Sequence, residues 1–194
     1  MGRGEDARAG FREAAGLATK TGEEINARRE LMRIAAARRE LDDAIRECAR
    51  LVELDPDGAD MRANLGSLLA AAGRNDEARR TLLAVARLPL DRFSRESVWI
   101  VSTTAYLRLA IDAPLDASEA AAARAIAARL VAVGRGDPFA RYLQLALALT
   151  LGDESARAQV ERIESEARAA GATQFADEVS RFLVRRGSAG PASW

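Results

Sequence analysis

Apolar positions along this chain recur three and four places apart. Ile25, Leu31, Met32 and Ala35 form one such set, Leu65 and Leu69 a second, Leu82 and Val85 a third, and Phe175, Val179, Phe182 and Leu183 a last one. Residues at that spacing share one face of a helix, so each set predicts an amphipathic helix. Thr21-Gly22-Glu23-Glu24 fits a capping box, with the Thr21 hydroxyl accepting from the third helical amide and Glu24 reaching back, so a helix is expected to begin there. Asp116 with Glu119 caps a long Ala-rich helix ending near Gly134. Asp137-Pro138 reads as N-cap and first helical position of a helix running through Tyr142, Leu143 and Leu147 to Gly152, with a partner helix from about Asp153 to Gly171. Near the amino terminus a short helix is expected around Phe11, Ala15 and Leu17.

A longer period underlies these helices. Asp42-Asp43-Ala44 stands 34 residues before Asp76-Glu77-Ala78, and Leu54-Asp55-Pro56 closes the earlier unit. Between them run Leu65-Gly66, then Gly73 at a turn, then Asp76-Glu77-Ala78 opening a second helix. Gly66 and Ala78 are small where two helices must approach closely, and Gly73 permits the tight turn. A fixed period of this length is the mark of a stacked-repeat protein.

These residues resemble the tetratricopeptide repeat, specifically over residues 40 to 92 and only in architecture from 93 to 186. Met32 replaces the family's small residue at its eighth place and Arg39 its turn glycine, so the first repeat is degenerate. The resemblance implies an all-α fold, a right-handed α-solenoid of stacked helix-turn-helix repeats. Their expected limits are about 23–58, 59–92, 94–134 and 137–171, with a capping helix at 172–186. Residues 1–22 then form an amino-terminal extension and 188–194 a flexible tail, leaving 23–187 as the solenoid. Trp99 and Tyr106 sit seven apart, as the family's aromatic positions do, and Trp99 reads as packing between repeats ahead of anchoring a partner. Cys48 falls where the repeat carries a buried aromatic, so core packing is favoured over a nucleophile.

Composition narrows the function. The chain is 48% hydrophobic but only 5% aromatic, its apolar share carried by Ala and Leu, which favour helices. Twenty-nine basic residues balance 29 acidic ones, so no electrostatic footprint marks a nucleic-acid partner. Lys20 is the sole lysine, and the arginine bias reads as composition before phosphate recognition. There is no histidine, which removes the commonest general base and the common zinc sites. No Gly-rich phosphate loop is followed by Lys-Ser or Lys-Thr. The carboxylate pairs Glu23-Glu24 and Asp42-Asp43 lie at helix starts, where negative charge suits the exposed amides. We therefore expect no enzyme, no catalytic or cofactor-binding residue, no metal and no cofactor. One cysteine, no apolar signal segment and no run of roughly 20 apolar residues predict a cytoplasmic protein without membrane insertion.

The resemblance implies a concave groove lined by the first helix of each repeat, holding an extended peptide or a helix of a partner protein. Projection places Asn26, Arg29, Arg33 and Ala37 there from the first unit, Asp60, Ala63, Asn64, Ser67 and Ala71 from the second, and Ile100, Thr104 and Arg108 from the third. Arg29, Arg33 and Asn64 occupy positions where some family members clamp a peptide carboxylate, although Arg33 stands where those have Asn and the third pair is missing. The expected function is an adaptor or chaperone-like protein-binding module. Its rival is a structural subunit of a larger, homomeric assembly, prompted by the apolar run Phe139 to Leu151, which has more hydrophobic faces than one partner helix can cover.

Overall fold

The computed structural model describes the backbone of residues 2–188 and the side chains of 5–187. Its ten α-helices are joined by short turns, with no strand among the described residues. The chain divides into two units, 1–106 and 107–194.

The first unit holds α1 (Gly2–Leu17), α2 (Thr21–Ala37), α3 (Leu41–Leu54), α4 (Ala59–Ala71), α5 (Asn75–Ala86), a 3-10 turn (Leu90–Arg92) and most of α6 (Glu96–Ile111). Each helix from α1 to α5 packs on the next. The 34-residue period reappears as geometry. Ala44 and Ala78, Cys48 and Leu82, and Leu51 and Val85 are pairs 34 apart, and all six are buried. The turn residues 39 and 73 obey the same offset: Gly73 has φ of 74° and Arg39, in the place of that glycine, has φ of 59°. The repeat thus imposes a left-handed turn residue even where the side chain opposes it. Gly66 lies against Leu82, so closely that a Cβ there would meet Leu82 Cγ and Cδ2 at 2.6 Å. That is the close helix approach which Leu65-Gly66 predicts.

The capping box at Thr21 does not form. Lys20 is the N-cap residue, in an extended conformation, and no side chain caps the helix. The Lys20 carbonyl accepts from the Glu23 and Glu24 amides. Glu24 faces the next helix instead, accepting from Arg28 at 2.8 Å and Arg50 at 3.3 Å, while Arg28 also reaches Glu47 at 2.8 Å. Those guanidinium hydrogen bonds, Arg28's foremost, hold the Glu24 carboxyl below its usual range despite partial burial. With Lys20 as N-cap the helix starts one residue earlier than the motif implies, which puts Glu24 past the capping position. The α1 helix has no buried side chain among those described, and is fastened by ions: Arg8 to Glu40 at 2.6 Å and to Asp43, Glu5 to Arg38.

The second unit holds the end of α6, α7 (Ala117–Val133), α8 (Pro138–Thr150), a 3-10 turn (Glu154–Ala156), α9 (Arg157–Ala169) and α10 (Thr173–Ser188). Asp116 and Asp137 act as N-caps as their sequences predict, accepting from the Glu119 amide at 2.8 Å and the Phe139 amide at 3.1 Å. The partner helix expected from Asp153 starts with the 3-10 turn and becomes α-helical at Arg157. Helix α8 packs on α7, α9 and α10. Leu143, Ala146, Leu147 and Leu149 are all buried, whereas Phe139, Leu145 and Leu151 of the same apolar run stay partly exposed. Phe139, Tyr142, Phe175 and Phe182 join α8 to α10 as an aromatic cluster with centroids 5.5–6.0 Å apart. Helix α10 extends through Ser188, where a tail is predicted, and 189–194 lie outside the described residues.

Candidate protein-binding surface

Helix α2 buries Ala27, Leu31 and Ala35, which lie one above another at four-residue spacing. Asn26, Arg29, Arg33 and Ala37 fall off that stripe and are all exposed. Arg33 bonds Glu30 on its own helix at 2.8 Å, a surface pair whose Arg side chain stays 69% exposed. Such pairs contribute little, so the guanidinium is open to exchange for another anion. Arg29 has no hydrogen bond or ion pair among the described residues.

Helix α4 buries Ala59, Ala63, Gly66 and Leu69. Ala63 therefore belongs to the core and not to the groove, because the stripe that carries Gly66 into its close contact also carries the residue one turn earlier. Asn64, Ser67 and Ala71 are exposed. The Ser67 hydroxyl donates to the Ala63 carbonyl at 3.0 Å, within its own helix. Asp60 accepts from the Ser94 amide at 3.3 Å and so holds the segment leading into α6.

Arg108 lies in the second unit and is engaged there. It meets Glu178 of α10 at 2.6 Å and stacks over the Phe139 ring at 5.0 Å. The sequence places Arg108 in the partner groove, and no local pattern there announces a partner 70 residues away. Ile100 and Thr104 are partly buried.

The residues with potential chemistry are placed in the core. Cys48 is buried, donates to the Met61 carbonyl at 3.4 Å, and burial raises its thiol to about 12. A thiol that stays protonated at neutral pH is a poor nucleophile. Trp99 is buried and its indole donates to the Ala86 carbonyl at 3.2 Å, as a core residue rather than an anchor. Among the described residues no cluster of His, Cys, Asp and Glu could hold a metal ion, and no helix is long and apolar enough to cross a membrane.

Sequence reasoning missed a cavity of about 310 Å³ in the second unit, rimmed by Arg108, Arg181 and Arg185 with Asp112 and Glu178. Glu178, Arg181 and Arg185 follow one another at helical spacing and read only as the polar face of an amphipathic helix. What they face was not legible.

Residues 35–92 match the family model for the tetratricopeptide repeat. Neither a curated protein nor a solved structure gives a significant match. The matched segment runs from the end of α2 through α5 to the turn after it, taking in Asp60, Asn64 and Ser67 but not Asn26, Arg29 or Arg33. It holds the buried pairs at 34-residue offset, both turn residues of positive φ and the Gly66–Leu82 contact, and in these features this segment of the chain is similar to the tetratricopeptide repeat.

Proposed function

We propose that the chain is an adaptor or chaperone-like module, without catalytic activity of its own, that binds a peptide or helix of another protein on the exposed polar faces of α2 and α4. Tetratricopeptide repeats in general mediate contacts between proteins. The observation that carries the reading is the pairing of uncommitted side chains with small neighbours. Arg29 and Asn64 have no partner among the described residues, Arg33 has only a solvent-exposed one, and Ala37, Ser67 and Ala71 beside them leave room for a ligand backbone. Exposed guanidiniums four apart repel one another until an anion joins them, and guanidinium-carboxylate pairs form strong paired hydrogen bonds. An acidic segment of the partner is therefore the ligand.

The test is a comparative pull-down from cells of the source organism with the parent chain and with the double variant Arg29→Glu/Arg33→Glu. A partner retained by the parent and lost by a variant of unchanged melting temperature supports the reading. An identical set of partners on both overturns it. The rival, a subunit of a homomeric assembly, draws on less apolar surface than the whole run offers, since α7, α9 and α10 pack on α8 and leave only Phe139, Leu145 and Leu151 partly exposed among the run's large apolar residues.

A further inference from the structure

The cavity in the second unit carries more positive than negative charge and sits over an apolar floor. Ile111, Tyr142 and Leu143 form that floor and all three are buried. Arg108 is fixed as one wall by its 2.6 Å ion pair with Glu178 and its stacking on Phe139. Opposite, Arg185 lies 3.5 Å from Asp112, a loose pair between two side chains that are each at least 60% exposed. Arg181, which lies between Glu178 and Arg185 along α10, has no hydrogen bond or ion pair among the described residues. Just behind, Arg186 donates to the Ile111 carbonyl at 3.2 Å and to Thr150 Oγ1 at 2.8 Å, which docks α10 against the ends of α6 and α8. Three guanidiniums thus line the space against two carboxylates, and Arg186 holds α10, which carries two of the three, against α6 and α8.

We propose that this cavity is a second binding site, for a short acidic peptide segment in which a carboxylate side chain bonds Arg181 and Arg185 while an adjacent apolar side chain rests on Ile111, Tyr142 and Leu143. The inference does not depend on the α2 and α4 surface. At about 310 Å³ the space lies at the small end of ligand sites, enough for two or three side chains and too little for a helix. The net positive lining attracts a carboxylate or a phosphate alike, and the buried apolar floor is what favours a carboxylate carried beside an apolar side chain. Burial, with Glu178 next, raises the Tyr142 phenol to about 12, so it stays neutral and adds no negative charge to the floor. A carboxylate arriving at Arg181 needs to displace nothing, and Arg185 can turn to it from a pair already long.

The test is fluorescence anisotropy of the full chain with a labelled peptide bearing Phe-Glu-Glu between Gly-Ser flanks. Saturable binding is expected, weakened about tenfold or more when both Glu are replaced by Gln and to a similar extent by Arg181→Ala. Arg185→Ala serves as a second variant, and the α2 variant Arg29→Glu/Arg33→Glu should bind this peptide as the parent does. No saturation by ~1 mM peptide, the weak limit of useful recognition, would overturn the proposal. So would equal affinity for the Gln peptide, unchanged binding by both arginine variants, or displacement by inorganic phosphate at the concentration of free peptide, which would mark a site for a free anion. Loss in the α2 variant alone would assign the peptide to the first unit and equally refute it.

Discussion

Position 66 shows how narrowly single residues are held. A Cβ there would come 2.6 Å from two Leu82 carbons, closer than side chains tolerate, so Leu82 or the backbone has to move. Replacing Gly by Ala in a helix gains about 1 kcal/mol in propensity, whereas overpacking a tight contact costs typically 1–3 kcal/mol. Gly66→Leu adds more volume and should cost more than about 2 kcal/mol, read as a lower denaturation midpoint with unchanged slope. Arg39 has the opposite defect, since a left-handed conformation costs a non-glycine residue roughly 1–2 kcal/mol. Arg39→Gly should therefore raise stability by about 0.5–1 kcal/mol, because part of the relieved strain is offset by the freedom glycine has in the unfolded chain. Cys48 offers a chemical check on burial. With its thiol raised to about 12, the native protein should not react with a disulfide reagent at pH 8, and one thiol should appear on unfolding in guanidinium. The turn at 39 was legible from its 34-residue offset to Gly73, since that offset fixes backbone geometry whatever the side chain. Gly66 was legible from its own Leu-Gly motif, its counterpart 34 residues earlier being Met32.

Helices differ in how their ends are held, and here sequence succeeded in part. Asp116 and Asp137 bond the amides their motifs predict. Thr21 does not, because the helix starts one residue earlier than its motif implies, with Lys20 as N-cap, and Glu24, past the capping position, pairs with Arg28 and with Arg50 on the next helix. Asp116→Ala should consequently cost about 1 kcal/mol, while Thr21→Ala should stay within about 0.5 kcal/mol of the parent, a contrast that paired thermal melts can read. The α10 helix covers α9 and α8, with Ala176, Val179 and Phe182 buried. A chain ending at residue 171 would expose that apolar face, and we expect it to aggregate, as seen by light scattering during gel filtration. Apolar spacing disclosed the existence of α10 but not its polar face, whose arginines meet residues of α6 and the turn after it.

Over the whole chain the period was legible at Asp42-Asp43-Ala44 and Asp76-Glu77-Ala78, while Met32 and Arg39 stand where Gly66 and Gly73 mark the next repeat. The family match over 35–92 covers both of these triplets. Past it, the second unit keeps paired helices but rests on an aromatic cluster and the Arg186 anchor, contacts between distant residues that no local pattern announces. The candidate surface was legible as a set of exposed positions on α2 and α4. Of the positions named for it, Ala63 is buried, and Arg108 is exposed but held by Glu178 and Phe139 in the second unit. Binding of a partner protein through α2 and α4, as proposed, is read from the dissociation constant of the captured partner for the parent and for Arg29→Glu/Arg33→Glu, measured side by side by calorimetry. Binding at least tenfold weaker, about 1.4 kcal/mol, is expected of the variant, with less dependence on salt and a melting temperature unchanged because both positions are off the core. Equal affinity in a variant that melts like the parent would contradict the proposal.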